Sequence, residues 1–348
     1  MKREFNKYIL NENACIKDAL ECINSLTGSM RTLFVSDNNG KIVGSLTDGD
    51  IRRGLIAGMS LEAPVSDVMH RQFIYLKKNT DSANTMRSAR ANGINVLPVV
   101  DDEGLMVDLI DMQQTLCMLP LDAVLMAGGR GERLRPLTDS TPKPLLPVAG
   151  KPIIDYNVDA LHRYGIKNIF VTVNYLHEQI ESHFANRADD TPITCVTEPM
   201  ALGTLGSIGL IKDFSHSNVL VMNSDLLTTL DFEKMYEHHE TSGAALTMAV
   251  TTYGVSVPYA IVRTQDDRIT GFEEKPTYNY FANAGIYIIR TEHLKSVSGH
   301  ERLDATDFID YLLSQGEKVS YFPIDGTWID IGSPDDYRLA NQKAIPNA

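Results

Sequence analysis

The chain has 348 residues, 43% of them hydrophobic and 22% charged, with a formal net charge of −13. Such a length implies two domains, since single cores rarely grow past about 250–300 residues, and the composition excludes a disordered chain, a collagen-like fibre and a disulfide scaffold. The acidic balance argues against nucleic acid or an anionic membrane as a partner. No apolar run reaches the ~18–20 residues of a membrane span, and the N-terminal stretch lacks the apolar core of a signal peptide. The four cysteines, Cys15, Cys22, Cys117 and Cys195, form neither a C-x-x-C pair nor a zinc spacing. Reduced, mostly buried thiols and a cytoplasmic location are expected.

Residues 1–118 carry 13 Lys+Arg against 15 Asp+Glu, whereas residues 119–348 carry 19 against 30. The first 118 residues read as two similar units, about 9–62 and 63–118. In the first, apolar Ile16, Leu20 and Ile23 fall at helical spacing and LFVSD is a strand that stops at Asn38-Asn39-Gly40, a tight-turn signal. KIVGSL is the return strand, and Asp50 opens a helix. The second unit, from Thr80, repeats the order: NVLPVV matches TLFVSD, and Asp102-Glu103-Gly104 matches the first turn. Recurrence of the whole ordered set marks an internal repeat. This repeat resembles the CBS domain pair, a regulatory nucleotide-sensing module. By that resemblance Thr47 and Asp50 bind a ribose, beside a helix N-terminus that can receive a phosphate; as an alternative of equal weight, Asp48 or Asp50 caps the helix. The second unit has Asp108 where the hydroxyl residue is expected before Asp111, so at most one nucleotide site is expected.

Residues 119–348 alternate strands with helices. LDAVLMA is a buried strand entering a Gly loop. A helix (IIDYNVDALHRYG), strand IFVTV, a helix from His177, strand ITCVT, a helix after Leu205 and strand NVLVMN follow. This alternation implies a mostly parallel sheet with helices on both faces, whose ligands sit beyond the carboxyl ends of the strands. Between Arg130 and Lys151 five basic residues (Arg130, Arg133, Arg135, Lys143, Lys151) face two acidic ones (Glu132, Asp139), which points to a small anionic ligand. In Met126 to Thr138, Gly128, Gly129 and Gly131 let the backbone approach a ligand and aim N–H groups into one concavity. The arginines add fixed charge that can grip phosphate. The following TPKPLLPVAGKP is stiffened by four prolines, which preorganises Lys143.

The combination G-G-x-G-x-R-L-x-P-L-T plus P-K-P-x-x-P resembles the sugar-1-phosphate nucleotidyltransferases over about residues 120–340, guanylyltransferases of surface-glycan and legionaminic acid routes included. The resemblance implies an α/β fold of Rossmann-like, glycosyltransferase-A-like type, preceded by the α+β CBS pair. It implies that Ala127, Gly128, Gly129, Arg130 and Gly131 hold the triphosphate of an NTP, with Arg133 and Lys143 as the catalytic cations. The acceptor is a sugar 1-phosphate. Mg²⁺ is the implied cofactor, held by Asp225 of Asn223-Ser224-Asp225 and Asp330 of Trp328-Ile329-Asp330-Ile331-Gly332. Leu202-Gly203-Thr204 matches a loop near the base. Glu274 and Lys275 match an E-K-P motif, and Asn283 and Gly285 an N-x-G-x-Y strand, both on the sugar side. Glu198, ahead of L-G-T, can accept from two guanine donors and favours GTP; an exposed loop role is its alternative. Candidate acceptors are glucosamine, mannose and heptose 1-phosphates. The rival activities are a dTTP or UTP enzyme acting on glucose 1-phosphate, a sensor whose transferase half is inactive, and a glycosyltransferase. A homo-oligomer is expected, since CBS pairs commonly dimerise. Met118 and Met126 read as core residues, His238-His239 as a pair on a solvated helix, and Tyr278-Asn279-Tyr280 as a loop tip.

Overall fold

The computed structural model describes residues 4–26, 30–78, 83–187 and 193–344. Two compact units divide between Met118 and Leu119. In the first, β1 (Ile9–Asn11), α1 (Ile16–Ser25), β2 (Thr32–Ser36), β3 (Ile42–Thr47) and α2 (Asp48–Ile56) form one repeat. The second is β4 (Leu76–Lys77), α3 (Ala83–Ala91), β5 (Val96–Val100) and β6 (Met106–Asp111). Both make a three-stranded sheet in which the first pair is parallel and the second antiparallel. Both turns are closed alike: Asp37 accepts from the Lys41 N–H at 2.9 Å and Asp101 from the Leu105 N–H at 2.8 Å. One core gathers around Leu33, Phe34 and Leu46 and takes in Val96, Val100 and Met106 of the second repeat; a second core gathers around Met86, Leu97 and Ile110. Thr27–Ser29 and Thr80–Ser82, at the expected start of the second unit's helix, lie outside the described residues.

One expected element is missing from the second repeat. Where α2 follows β3, only a turn follows β6. The chain has Met112–Met118 before it enters the other unit, too few residues for a nine-residue helix and its caps.

The second unit is built on a seven-stranded sheet. Its N-terminal part contains β7 (Leu121–Ala127), a short hairpin of β8 (Pro147–Val148) and β9 (Lys151–Pro152), α4 (Ile153–Arg163), β10 (Ile169–Val173), α5 (His177–Ala185) and β11 (Ile193–Thr197). Then come β12 (Asn218–Asn223), β13 (Leu226–Thr228), α6 (Phe232–Ser242), β14 (Leu246–Ser256), β15 (Ile261–Gln265), β16 (Arg268–Glu273) and β17 (Thr277–Arg290). The chain closes with α7 (Thr291–Leu294), α8 (Ala305–Ser314), β18 (Val319–Pro323), β19 (Trp328–Asp330) and α9 (Pro334–Lys343). The sheet order is β11-β10-β7-β12-β17-β14-β18, with β17 alone running against the rest. The central strands β7 and β12 are buried over almost all of their length, and so read as near-continuous apolar runs rather than alternating ones, apart from the buried Asp122 in β7 and the asparagines at the two ends of β12.

Four expectations are corrected. The segment after Leu205 is a 3₁₀ turn, Gly206–Leu210. Its glycines abut backbone: a Cβ on Gly209 would lie 2.3 Å from the Gly299 nitrogen, and a glycine-rich run is a poor α-helix former. Tyr278, Asn279 and Tyr280 belong to β17, paired with Val255, Gly254 and Tyr253. His239 is fully buried, its ring nitrogens on Thr247 (2.8 Å) and Asn218 (3.2 Å), while His238 meets Ser320. Of the cysteines, only Cys117 is buried and the other three are half-buried. Met126 packs on the main core and Met118 on that of the second repeat. Among the described residues, no helix is long and apolar enough to cross a membrane.

Candidate active site

The expected site residues of the second unit gather at the carboxyl ends of β7, β11 and β12, and at the facing half of β17. β7 delivers Ala127 into the loop Gly128–Gly131. Gly131 adopts a left-handed φ of 61°, and a Cβ there would lie 2.9 Å from Thr138 and 3.1 Å from the Cβ of Lys143. Only glycine suits that position. The Thr138 hydroxyl, which is buried, donates to the Gly131 carbonyl at 2.9 Å. The Tyr175 hydroxyl donates to the Thr138 and Asp139 carbonyls, each at 3.2 Å. The loop is thus held from behind while Gly129, Arg130 and Arg133 remain exposed.

Lys143 opens a 3₁₀ turn (Lys143–Leu145) after Pro142, with Pro144 and Leu146 buried beneath it. Its ammonium pairs directly with Asp225 Oδ2 and lies 3.4 Å from Asp330 Oδ1. The two carboxylates, 105 positions apart in the chain, are joined by antiparallel pairing of β13 with β19, Leu226 opposite Asp330. The Ile331 N–H also donates to the Asp225 carbonyl at 3.3 Å. Burial pushes the Asp330 carboxyl above the usual range, the neighbouring Asp225 pushes the same way, and Lys143 and Arg133 oppose them. The Arg133 guanidinium lies against Gly332, 3.5 Å from where a Cβ would stand. Arg133, Lys143, Asp225 and Asp330 therefore form one charged cluster. Under it is a separate apolar cluster that includes Leu134, Leu146, Ile329 and Ile331, each adjacent in sequence, or nearly so, to a charged member.

Ser224, in the variant position before Asp225, is a buried anchor. Its hydroxyl donates to the Met126 carbonyl at 2.7 Å, and Asn157 of α4 donates to the Ser224 carbonyl at 3.0 Å. Asn223 explains Gly285: at φ 71° that glycine would place a Cβ 2.4 Å from the Asn223 amide nitrogen. Asn283 Oδ1 accepts from the Gly285 N–H at 2.9 Å, and its amide bonds the Tyr287 hydroxyl at 2.7 Å. Trp328 donates to the Ala284 carbonyl at 2.9 Å, which ties β19 to β17. Glu274 and Lys275 lie exposed just before β17, Lys275 with φ 42°.

Glu198 follows β11 and is 7% exposed, so an exposed loop role is excluded. Burial raises its carboxyl above the usual range, opposed by hydrogen bonds from the Leu202 N–H and the Ser207 hydroxyl; the Leu202 bond measures 3.2 Å. Its Oε1 would be 2.7 Å from a Cβ on Gly128, so the carboxylate closes directly on the glycine loop. Gly203 (φ 81°) and Thr204 are zipped to the start of α8. Asp304 accepts from the Thr204 N–H at 3.0 Å, and Thr204 Oγ accepts from the Ala305 N–H at 2.8 Å. Asp304's carboxyl lies below the usual range, first because of that Thr204 N–H bond. Sequence reasoning missed Asn157, Thr138, Tyr175 and Asp304. The sole signal for Asp304 was its place ahead of an apolar-periodic run, which marks a helix cap and nothing more.

In the first unit, Thr47 and Asp50 meet each other. Asp50 Oδ2 accepts from the Thr47 N–H (2.8 Å) and hydroxyl (2.6 Å), and the Asp50 N–H donates back to Thr47 Oγ at 3.3 Å. This is a capping box at the start of α2, and Arg53 pairs with Asp50 Oδ1 at 2.5 Å.

Among the described residues, no group of three or more His, Cys, Asp or Glu is placed to hold a metal. The carboxylate pair is a hard-oxygen donor set that suits an ion which keeps several waters and takes further ligands from substrate phosphates, as Mg²⁺ does.

A family model described as nucleotidyl transferase matches residues 122–346, and one described as CBS domain matches residues 65–113. The D-glycero-alpha-D-manno-heptose 1-phosphate guanylyltransferase of Aneurinibacillus thermoaerophilus is 34% identical over 226 residues, covering 64% of this chain and 98% of its own. The mannose-1-phosphate guanylyltransferase catalytic subunit beta of Drosophila pseudoobscura pseudoobscura is 33% identical over 225 residues, covering 62% of this chain and 60% of its own length. The crystal structure of HddC from Yersinia pseudotuberculosis complexed with GMP-PN superposes with a TM-score of 0.52 at 24% identity, over 65% of this chain and all of that one. That last likeness speaks for the fold alone.

Proposed function

The chain belongs to the nucleotidyl transferase family, and from that premise we propose that it transfers GMP from GTP to a sugar 1-phosphate, releasing pyrophosphate. An oxygen of the sugar phosphate forms a bond to the α-phosphorus while the bond from that phosphorus to the pyrophosphate oxygen breaks. The nucleophile is already an anion near neutral pH, so no side chain has to remove a proton. The task is to bring polyanions together and neutralise charge in the transition state. Arg133 and Lys143 do this by position. Asp225 and Asp330 would hold Mg²⁺, which when bound supplies positive charge to phosphate oxygens. Backbone N–H groups of the Gly128–Gly131 loop cradle the triphosphate, with Ala127 just before it and Arg130 within it. Glu274, Lys275, Asn283 and Gly285 meet the sugar phosphate, and Gly203 and Thr204 line the base side.

The observation that carries the base preference is Glu198, buried and held by Leu202 with its carboxylate against Gly128. A carboxylate there can accept from both guanine donors, and two of the similar curated proteins are named as guanylyltransferases. Mannose, heptose and glucosamine 1-phosphates are the acceptors to compare. The test is a panel of four NTPs against these sugar phosphates and glucose 1-phosphate, read by pyrophosphate release. GTP should be used best; a preference for UTP or dTTP would overturn the assignment of the base.

For the N-terminal unit the reading is a nucleotide-sensing and dimerising module in a cytoplasmic enzyme. The shared topology of its two repeats supports this. Ligand binding at Thr47 and Asp50 has to displace or extend the capping box. Calorimetric titration of adenine and guanine nucleotides into the wild type and Asp50→Ala decides it, since binding that survives the substitution is binding elsewhere.

A further inference from the structure

We propose that Lys143 is a resident counter-cation of the Asp225–Asp330 pair, exchanged for the divalent ion, so that the ion's arrival frees the ammonium to engage phosphate. The inference rests on the reading of these two aspartates as metal ligands. Lys143 contacts Asp225 and stands 3.4 Å from Asp330, and its side chain is 13% exposed. It therefore occupies the space between the two carboxylates. A divalent ion coordinated by both would need oxygens at about 2.0–2.1 Å, on the side where the ammonium now lies. Two cations at that spacing in a half-buried site repel strongly.

The charge accounting favours exchange over coexistence. With the ammonium in place the four side chains sum to zero; a divalent ion in place of the ammonium brings the cluster to one unit positive, and the two cations together would bring it to two. The Arg133 guanidinium, against Gly332, remains as a further positive charge beside Asp330. Lys143 released from Asp225 stays tethered between Pro142 and Pro144, beside Gly131, whose hypothetical Cβ would lie 3.1 Å from the Lys143 Cβ. The freed ammonium is thus already next to the glycine loop. Lys143 accordingly has two roles in sequence. It keeps a half-buried carboxylate pair compensated in the resting protein, then acts on phosphate once the pair is otherwise neutralised.

The experiment uses the full chain and Mn²⁺ alone, with no nucleotide, and reads free Mn²⁺ by electron paramagnetic resonance. Lys143→Met should bind Mn²⁺ about tenfold or more tightly than the wild type, because a competing unit charge is gone. Turnover should collapse in the same variant. Adding Asp225→Asn to Lys143→Met should abolish the gain. Equal or weaker Mn²⁺ binding by Lys143→Met overturns the exchange, and leaves the metal assignment standing if Asp225→Asn and Asp330→Asn weaken Mn²⁺ binding in the wild-type background. If those two substitutions leave Mn²⁺ binding unchanged, the assignment itself fails and the exchange with it. Should Lys143→Met not fold, the wild type decides by amine labelling read by mass spectrometry. Labelling of Lys143 should rise when Mg²⁺ alone is added; unchanged or reduced labelling overturns the proposal.

Discussion

Gly128→Ala tests whether Glu198 and the glycine loop form one site. The added Cβ would lie 2.7 Å from Glu198 Oε1, 3.2 Å from its Cδ and 3.3 Å from the Asn174 Cβ. Ordinary contact begins at 3.4 Å, so the carboxylate must retreat by roughly 0.7 Å, a shift that forces strain of overpacking. A free Glu tip would swing aside cheaply, but this one is buried and bonded to the Leu202 N–H. The substitution should destabilise the transferase unit by about 1–3 kcal/mol and lower kcat/KM for GTP by about tenfold or more. Glu198→Ala removes the obstructing atoms, so most of the stability cost of Gly128→Ala should vanish in that background. The coupling should be about 1–2 kcal/mol, against an additive expectation within about 0.3–0.5 kcal/mol. Urea unfolding followed by Trp328, the only tryptophan and a member of β19 in the transferase unit, reports the unit concerned. Additive stabilities would show that the two residues do not touch, and unchanged kcat/KM for GTP in Gly128→Ala would detach the loop from base binding.

Asp225→Asn and Asp330→Asn should each raise the Mg²⁺ concentration needed for half-maximal rate and lower the maximum, because an amide is a poorer ligand for a hard cation; an unchanged Mg²⁺ titration removes that residue from the metal site. Asp304→Ala should raise KM for GTP with a smaller change in kcat, since it frees the exposed Thr204 N–H to water and loosens the 202–206 loop, at a cost of about 0.5–1.5 kcal/mol for the lost hydrogen bond; rescue by Asp304→Asn would fit positioning, and an unaltered KM would refute it. His239 is held down to about 4 from 6.5, by burial first and then by the charges of Arg290 and His238. The unfolded chain takes up the proton first, so stability present above pH 6.5 is lost as pH falls toward 4, by up to roughly 3 kcal/mol. Unfolding of the wild type and His239→Gln between pH 7.5 and 4.5 should show a slope that the variant lacks; identical slopes would contradict it.

The strands and the glycine and proline motifs were legible because each is local. Buried β7 and β12 appear as short, predominantly apolar runs, and the loops that carry the chemistry follow them directly. What was not legible depends on long-range pairing. Nothing in the spacing of Asp225 and Asp330 announces that β13 will pair with β19, and family resemblance alone put them together. Asp304 goes unread because its partner, Thr204, is 100 positions away. The segment after Leu205 reads as a helix from its place between strands, and the backbone against which Gly206 and Gly209 sit comes from residues 297–303, about 90 positions away. The absent last helix of the second repeat is a matter of chain length, which a repeat comparison does not weigh. His239 has no sequence signal for burial, because Thr247 and Asn218, which satisfy both its nitrogens inside, reach it only through the fold.

The same contrast bears on how the charged cluster is kept in place. Its members come from four segments, and none of them is part of the main sheet core. Each is instead pinned by an apolar neighbour in one satellite cluster: Leu134 beside Arg133, Leu146 near Lys143, and Ile329 and Ile331 on either side of Asp330. Asp225 joins through β13, whose Leu227 packs on the same cluster. Because an apolar contact is non-directional, it can hold segments together without competing for the charged side chains, which then remain free to exchange partners. The pairing of Lys143 with Asp225 and Asp330 then does not have to hold the segments together, and can break without their moving apart. In that arrangement the apolar cluster sets the positions while Lys143 changes its partner.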